Sequence, residues 1–180
     1  MNIKIRPTIE NDFDDIIEVE KQAFGEDSVA ELTAELLNDK SAEPYISLLA
    51  FENDKAVGHI LFTKCSINDI ENCPLMHILA PLAVIPEYQK QGIGGLLIKK
   101  GLALLQRINS EIVFVLGHIE YYPKYGFIHN AERLDYPAPY PIPANVADAW
   151  MVQPITSKVL GNFGKVICAK AMDKPEHWRE

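Results

Sequence analysis

Polar and apolar residues alternate through Ile3-Lys4-Ile5-Arg6, the period-two pattern of a short strand. A helical period follows. Thr8 or Asn11 stands where a cap is needed for a helix running to about Phe24, with Phe13, Ile16, Ile17, Glu20 and Phe24 on its inner face and Gly25 to end it. Ser28 caps a second helical pattern in which Leu32, Leu36 and Leu37 share a face, and Pro44 closes that region. Tyr45 to Phe51 and Ala56 to Ile67 read as strands joined through the turn pair Asn53-Asp54. His77 to Val84 is nearly all apolar, as a central strand covered on both faces should be.

A short loop, Ile85 to Tyr88, separates that strand from Gln89-Lys90-Gln91-Gly92-Ile93-Gly94-Gly95. An amphipathic helix then reaches Arg107, carrying Ile93, Leu96, Leu97, Leu102, Leu104 and Leu105, with Lys99, Lys100 and Arg107 towards the end that favours cations. Glu111 to Leu116 is another buried strand, so strand, helix and strand predict a parallel crossover. The alternate prolines of Asp135 to Pro143 predict an extended segment. Trp150 to Val152 and Lys165 to Met172 read as late strands, and Lys174 to Glu180 as a frayed tail. With no internal repeat or interdomain linker, the 180 residues predict one domain over 1–180.

Composition narrows the function. Hydrophobic residues make up 48% and charged residues 23%, the balance of an ordinary water-soluble protein. No apolar run approaches the roughly 20 residues that span a bilayer. The first residues lack the apolar core of a signal peptide, so a cytoplasmic location is expected and no membrane partner. Cys65, Cys73 and Cys168 leave an odd thiol and no metal-like pairing. His59, His77, His118, His129 and His177 show no i, i+4 pairing, so no metal is expected. No Ser-His-Asp motif or nucleophile elbow appears. A net charge of −8 argues against a nucleic-acid partner and is compatible with attraction of a cationic amine.

The glycine segment is where the chain speaks of chemistry. Strand, glycine loop and helix place unpaired N–H groups and the positive end of a helix dipole at one point, a ready anion site. Spacing alone leaves a tight turn equally open. The P-loop pattern is absent, and Leu97 occupies the place of the third glycine in a dinucleotide-binding loop.

Q-x-x-G-x-G after a strand ending Leu82-Ala83-Val84 resembles the acetyl-CoA signature of the GNAT superfamily of N-acetyltransferases. Tyr122-Pro123-Lys124-Tyr125-Gly126-Phe127 resembles that family's Y-x-x-x-G-F segment, and Ile5-Arg6-Pro7 with Asp12, Phe13 and Ile16 resembles its first strand and helix. Val113 to Gly117 followed by Tyr121-Tyr122 further resembles the YhbS-like subgroup. The resemblance implies an α/β fold, a central mixed sheet of about six to seven strands with helices on both faces. It implies acetyl-CoA as co-substrate. The backbone of Gln89, Lys90, Gln91, Gly92, Ile93, Gly94 and Gly95 would hold the pyrophosphate, and Leu82, Ala83 and Val84 would pair with the pantetheine arm. The acceptor would be a primary amine of a small molecule or peptide. A homodimer is left open.

By the same resemblance Tyr122 lies near the thioester sulfur, with Tyr121 and Tyr125 as rivals. A phenol titrates near 10 and a thiol near 8.5, so full proton transfer to the thiolate is uphill by roughly 2 kcal/mol. A hydrogen bond that stabilises the thiolate is the better role. The base is less determined. Family bases often sit on the strand before the glycine loop, but Leu79 to Val84 holds no titratable side chain. His77 stands at the far start of that strand. Glu120 and His118, after the next strand, are the leading candidates, and Glu20, Glu26 and Asp27 are candidates for lining the acceptor pocket. The missing base also admits a non-catalytic acyl-CoA-binding module, and nothing in the chain excludes an acyl group longer than acetyl.

Overall fold

The structure is a computed structural model that describes residues 1–156 and 159–179. Its sheet has seven strands: β1 (Ile3–Pro7), β2 (Ile46–Glu52), β3 (Lys55–Ile67), β4 (Met76–Val84), β5 (Ile112–Leu116), β6 (Trp150–Pro154) and β7 (Val166–Ile167). The order is β1-β2-β3-β4-β5-β6, and β7 pairs with the end of β3. β1 to β4 form an antiparallel meander, β4 and β5 run parallel, and β6 returns antiparallel to β5. Among the described residues three α-helices cover the sheet: α1 (Phe13–Phe24), α2 (Ser28–Leu37) and α3 (Ile93–Arg107). His59 of β3 turns its side chain to α1, while Gly58 turns to Leu97 and Ile93 of α3, so α1 and α3 lie on opposite faces. The α/β mixed sheet that the sequence predicts is the fold observed.

Two devices shape the middle of the sheet. Phe62 of β3 lies opposite Leu79 of β4, but Ile60 lies opposite Leu82, so Leu61 faces both Ala80 and Pro81. β4 therefore carries an extra residue, a bulge that bends a strand and raises its local twist. Pro81 fits there because it has no N–H to offer a ladder. The peptide bond before it is cis. Beyond the bulge β4 continues beside β3 to the pair Val84 and Gly58, whereas its pairing with β5 ends at Leu79 and Val115. β5 closes at Leu116, and the Gly117 N–H goes to the Ala149 carbonyl. The two central strands thus part.

Several local expectations are corrected. Neither Thr8 nor Asn11 caps α1. Asp12 occupies the N-cap position of α1 without a side-chain cap bond to it; its carboxylate instead accepts the Ile9 N–H at 2.7 Å across a single turn of 3-10 helix, Glu10–Asp12. The buried stripe of α1 is Ile16, Val19 and Glu20, while Phe13 and Phe24 stay exposed. Asp27, not Ser28, occupies the N-cap position of α2. Leu96, expected on the inner face of α3, is exposed.

Of the expected strand Lys165 to Met172, only Val166–Ile167 pairs. Side chains from the segment after α2 pull the rest away: Ser41 Oγ accepts the Lys170 N–H at 2.9 Å, and Asp39 Oδ2 accepts the Ala171 N–H at 2.8 Å. The tail is not frayed over its described residues. Trp178 is buried, meets Trp150 edge to face at 5.4 Å, and donates its indole N–H to the Met172 carbonyl.

Candidate active site

The glycine loop leads from β4 into α3. Ile85 to Gln89 make one 3-10 turn, and the chain then adopts positive φ at Lys90 and Gly92. Left-handed residues at such a turn aim successive N–H groups into one concavity. Gly92 is the N-cap of α3 with φ +86°, and among the described residues no side chain caps the helix. The first N–H to find a helical carbonyl is that of Leu96, on Gly92 at 3.1 Å. A Cβ on Gly92 would meet nothing within 4 Å, so the turn is open to a ligand there.

The loop's long side chains brace the loop itself. Gln89 Nε2 donates to the Val84 carbonyl at 2.9 Å, and Gln91 Nε2 to the Glu87 carbonyl at 2.8 Å. Lys90 is exposed. The geometry thus assigns any anion chiefly to backbone N–H groups and the helix dipole.

Gly94 and Gly95 have a second reason to lack a Cβ. On Gly94 it would collide with the Tyr121 hydroxyl, and on Gly95 with that of Tyr125. Tyr121, Tyr122 and Tyr125 belong to the turn that follows β5, where Tyr122–Tyr125 forms a 3-10 helix. The Tyr121 ring contacts both others edge to face, at 5.2 Å and 5.3 Å. Tyr122 is the deeper, packed against Phe127 and over Gly117, where a Cβ would lie 2.5 Å from its ring. The structure therefore gathers Leu82, Gly94, Gly95, Tyr121 and Tyr125 at one place, with Tyr122 behind Tyr121.

The candidate bases differ in exposure. His118 and Glu120 are both exposed in the loop after β5, on the side where the strands part. His77 is fully buried at the start of β4, held by Ser110 Oγ at 2.8 Å and the Pro44 carbonyl at 2.7 Å. Burial lowers its pKa to about 4, so it is a neutral structural group. Ala80, Pro81, Leu82 and Val84 are half-buried and bring no titratable side chain.

One constellation was missed by the sequence reading. Glu20, expected at a pocket, is fully buried, and its Oε1 lies 2.6 Å from His59 Nδ1. His59 Nε2 lies 2.9 Å from Ser47 Oγ. A serine, histidine and carboxylate thus stand in a row, yet Ser47 is only 5% exposed, too little for a nucleophile that must meet its substrate. No spacing pattern announces this group, because its members come from β2, β3 and α1. Among the described residues no group of three or more His, Cys, Asp or Glu side chains is arranged to hold a metal.

The signature of the acetyltransferase (GNAT) domain matches residues 4–129. The chain is 51% identical over 162 residues, 90% of each chain, to an uncharacterized N-acetyltransferase of Escherichia coli (strain K12), YjhQ. It belongs to the GNAT acetyltransferase family. Solved structures agree in fold. The Escherichia coli GNAT family N-acetyltransferase YhbS, in complex with CoA, superimposes with a TM-score of 0.85 over 97% of this chain and 93% of its own, at 23% identity. A GNAT family acetyltransferase from Brucella melitensis, in complex with acetyl-CoA, gives 0.74 over 96% and 99%, at 26% identity. Among the described residues no helix is long and apolar enough to cross a membrane.

Proposed function

We propose that this chain, acting as one domain in the cytoplasm, transfers an acetyl group from acetyl-CoA to a primary amine of a small molecule or peptide. The observation that carries this reading is the parting of β4 from β5 after Leu79 and Val115, directly beside the uncapped glycine turn of α3. The gap leaves one edge of Ala80 to Val84 without a strand neighbour, and the turn supplies unpaired N–H groups within reach of it. An extended acyl-thioester arm ending in phosphates matches both features: main-chain pairing for the arm and an anion cradle for the phosphates.

The amine nitrogen attacks the thioester carbonyl, the C–S bond breaks, and the product amide retains the acetyl group. A backbone N–H between Leu82 and Val84 meets the charge that develops on the carbonyl oxygen. Tyr122 stabilises the departing thiolate by hydrogen bonding. The acceptor begins as an ammonium with a pKa near 10.4, so it must lose a proton before attack. Glu120 or His118 takes that proton, directly or through water.

Calorimetric titration with acetyl-CoA, followed by thiol release over amines, polyamines, amino acids and N-terminal peptides, tests the reading. Micromolar binding and amine-dependent release are expected. Binding no tighter than millimolar would overturn it. The absence of any titratable side chain from Ala80 to Val84 favours one alternative, a module that holds acyl-CoA without turnover. That alternative predicts tight binding with no release on the whole panel. Parallel assays with longer acyl-CoA donors decide the acyl preference.

A further inference from the structure

Tyr121 occupies a position that thiolate stabilisation does not account for. It stands at the head of the 3-10 turn after β5, its N–H donating to the His118 carbonyl at 3.1 Å. From there its ring crosses to the first turn of α3. The hydroxyl lies over Gly94, and Leu82 Cδ2 is 3.6 Å from the point a Gly94 Cβ would occupy. The Tyr121 side chain therefore touches the glycine turn next to the open end of β4. Tyr125 sits alongside with its hydroxyl over Gly95.

We propose that Tyr121 is a coenzyme-binding residue, its hydroxyl hydrogen-bonding the pantetheine arm where that arm passes from the glycine turn to β4, with Tyr125 holding the ring in place. The inference rests on the acetyl-CoA reading above. A ligand whose phosphates rest on the α3 N-terminus and whose arm follows Leu82 to Val84 has to pass the contact between Gly94 and Leu82. The Tyr121 oxygen is already there. A phenol has one O–H to donate and two lone pairs to accept with, and the arm's amides offer both partners. Burial, and then the neighbouring Tyr125 phenol, push the Tyr121 pKa up, so the group stays neutral and keeps its O–H. The two glycines now have two tasks. They free the backbone for the phosphates, and they leave room for the two tyrosine hydroxyls.

Binding of three ligands to the full chain tests this: CoA, acetyl-CoA and 3′-phosphoadenosine 5′-diphosphate, which carries the phosphates but no arm. Tyr121→Phe should weaken CoA and acetyl-CoA roughly five- to tenfold, the loss of one hydrogen bond, and the armless ligand less than twofold. Tyr125→Phe should show the same selectivity at roughly threefold. Thermal melting verifies that each variant is folded. An equal loss on all three ligands would mean that the tyrosines merely stiffen the turn, and no loss on any would mean that the hydroxyl faces no ligand; either overturns the proposal. A wild-type chain that binds none of the three fails the acetyl-CoA reading itself, which separates that failure from failure of the Tyr121 assignment.

Discussion

Glu20 Oε1 lies 2.6 Å from His59 Nδ1, and neither side chain exposes any surface. This contact ties α1 to β3 one strand away from the open end of β4, since His59 pairs with Ala83. Among the described residues Glu20 Oε2 has no hydrogen-bond partner, and burial raises the Glu20 pKa while the histidine opposes the rise. Removing either member strands a polar group in the interior. Glu20→Ala or His59→Ala should each cost about 3–5 kcal/mol, whereas replacing both with apolar residues of similar volume should recover most of the loss. Urea unfolding of the three variants measures it. A single-variant cost under about 1 kcal/mol would show that the pair is not coupled to the fold.

Gly92→Glu should abolish acetyl-CoA binding. The new side chain enters open space at the head of α3 and sets a negative charge where the helix dipole favours an anion. Gly92→Ala separates charge from backbone strain. It costs about 1–2 kcal/mol in stability because φ is +86°, but should retain binding. Equal binding by the glutamate variant would remove the anion site from this turn.

Tyr122→Phe keeps the ring that packs on Phe127 and Gly117 and deletes the hydroxyl. If that hydroxyl stabilises the leaving thiolate, kcat should fall by roughly one to three decades while acetyl-CoA affinity changes little. Tyr121→Phe should show the reverse emphasis, with its larger effect on affinity. Wild-type kcat in Tyr122→Phe, with chemistry rate-limiting, would reduce Tyr122 to a packing residue.

Proton removal from the acceptor should appear on the acidic limb of the kcat/KM profile. Of His118→Ala and Glu120→Gln, the variant that lacks the base should lose roughly 100-fold in kcat/KM and lose or displace that limb. Profiles that match wild type in both variants would leave deprotonation to water or to another group.

The Arg6 and Asp12 pair gives a pH dependence of stability. The guanidinium lies 2.6 Å and 2.9 Å from the two carboxylate oxygens, and this hydrogen bonding, ahead of all other causes, lowers the Asp12 pKa. A carboxyl whose folded pKa is depressed contributes stability above its unfolded value, near 3.9, and loses it as the pH falls through the folded value. Asp12→Asn should therefore be less stable near pH 7 by about 1 kcal/mol, a figure held down by the exposure of Arg6, and should differ little from wild type in strong acid. Thermal melting at both pH values checks this. A deficit that persists undiminished in acid would assign the effect to packing.

What the sequence determined by itself is carried by consecutive residues. The periods of β1 to β5, the glycine turn at the head of α3 and the Asn53-Asp54 hairpin all follow from backbone preferences and from which residues face inward along a single element. The Q-x-x-G-x-G and Y-x-x-x-G-F patterns are likewise local, which is why the family was legible before the fold. The tertiary structure decided everything that depends on distant partners. It set where β4 and β5 part, because a bulge at Ala80 and Pro81 is visible only against β3. It laid Tyr121 over Gly94 across a gap in sequence that no spacing rule covers. It closed a buried string from Ser47 through His59 to Glu20, and drew Trp178 onto Trp150 where the composition of the tail predicts fraying. In each case the deciding contact joins separate elements, and a chain read one segment at a time carries no record of which elements will meet.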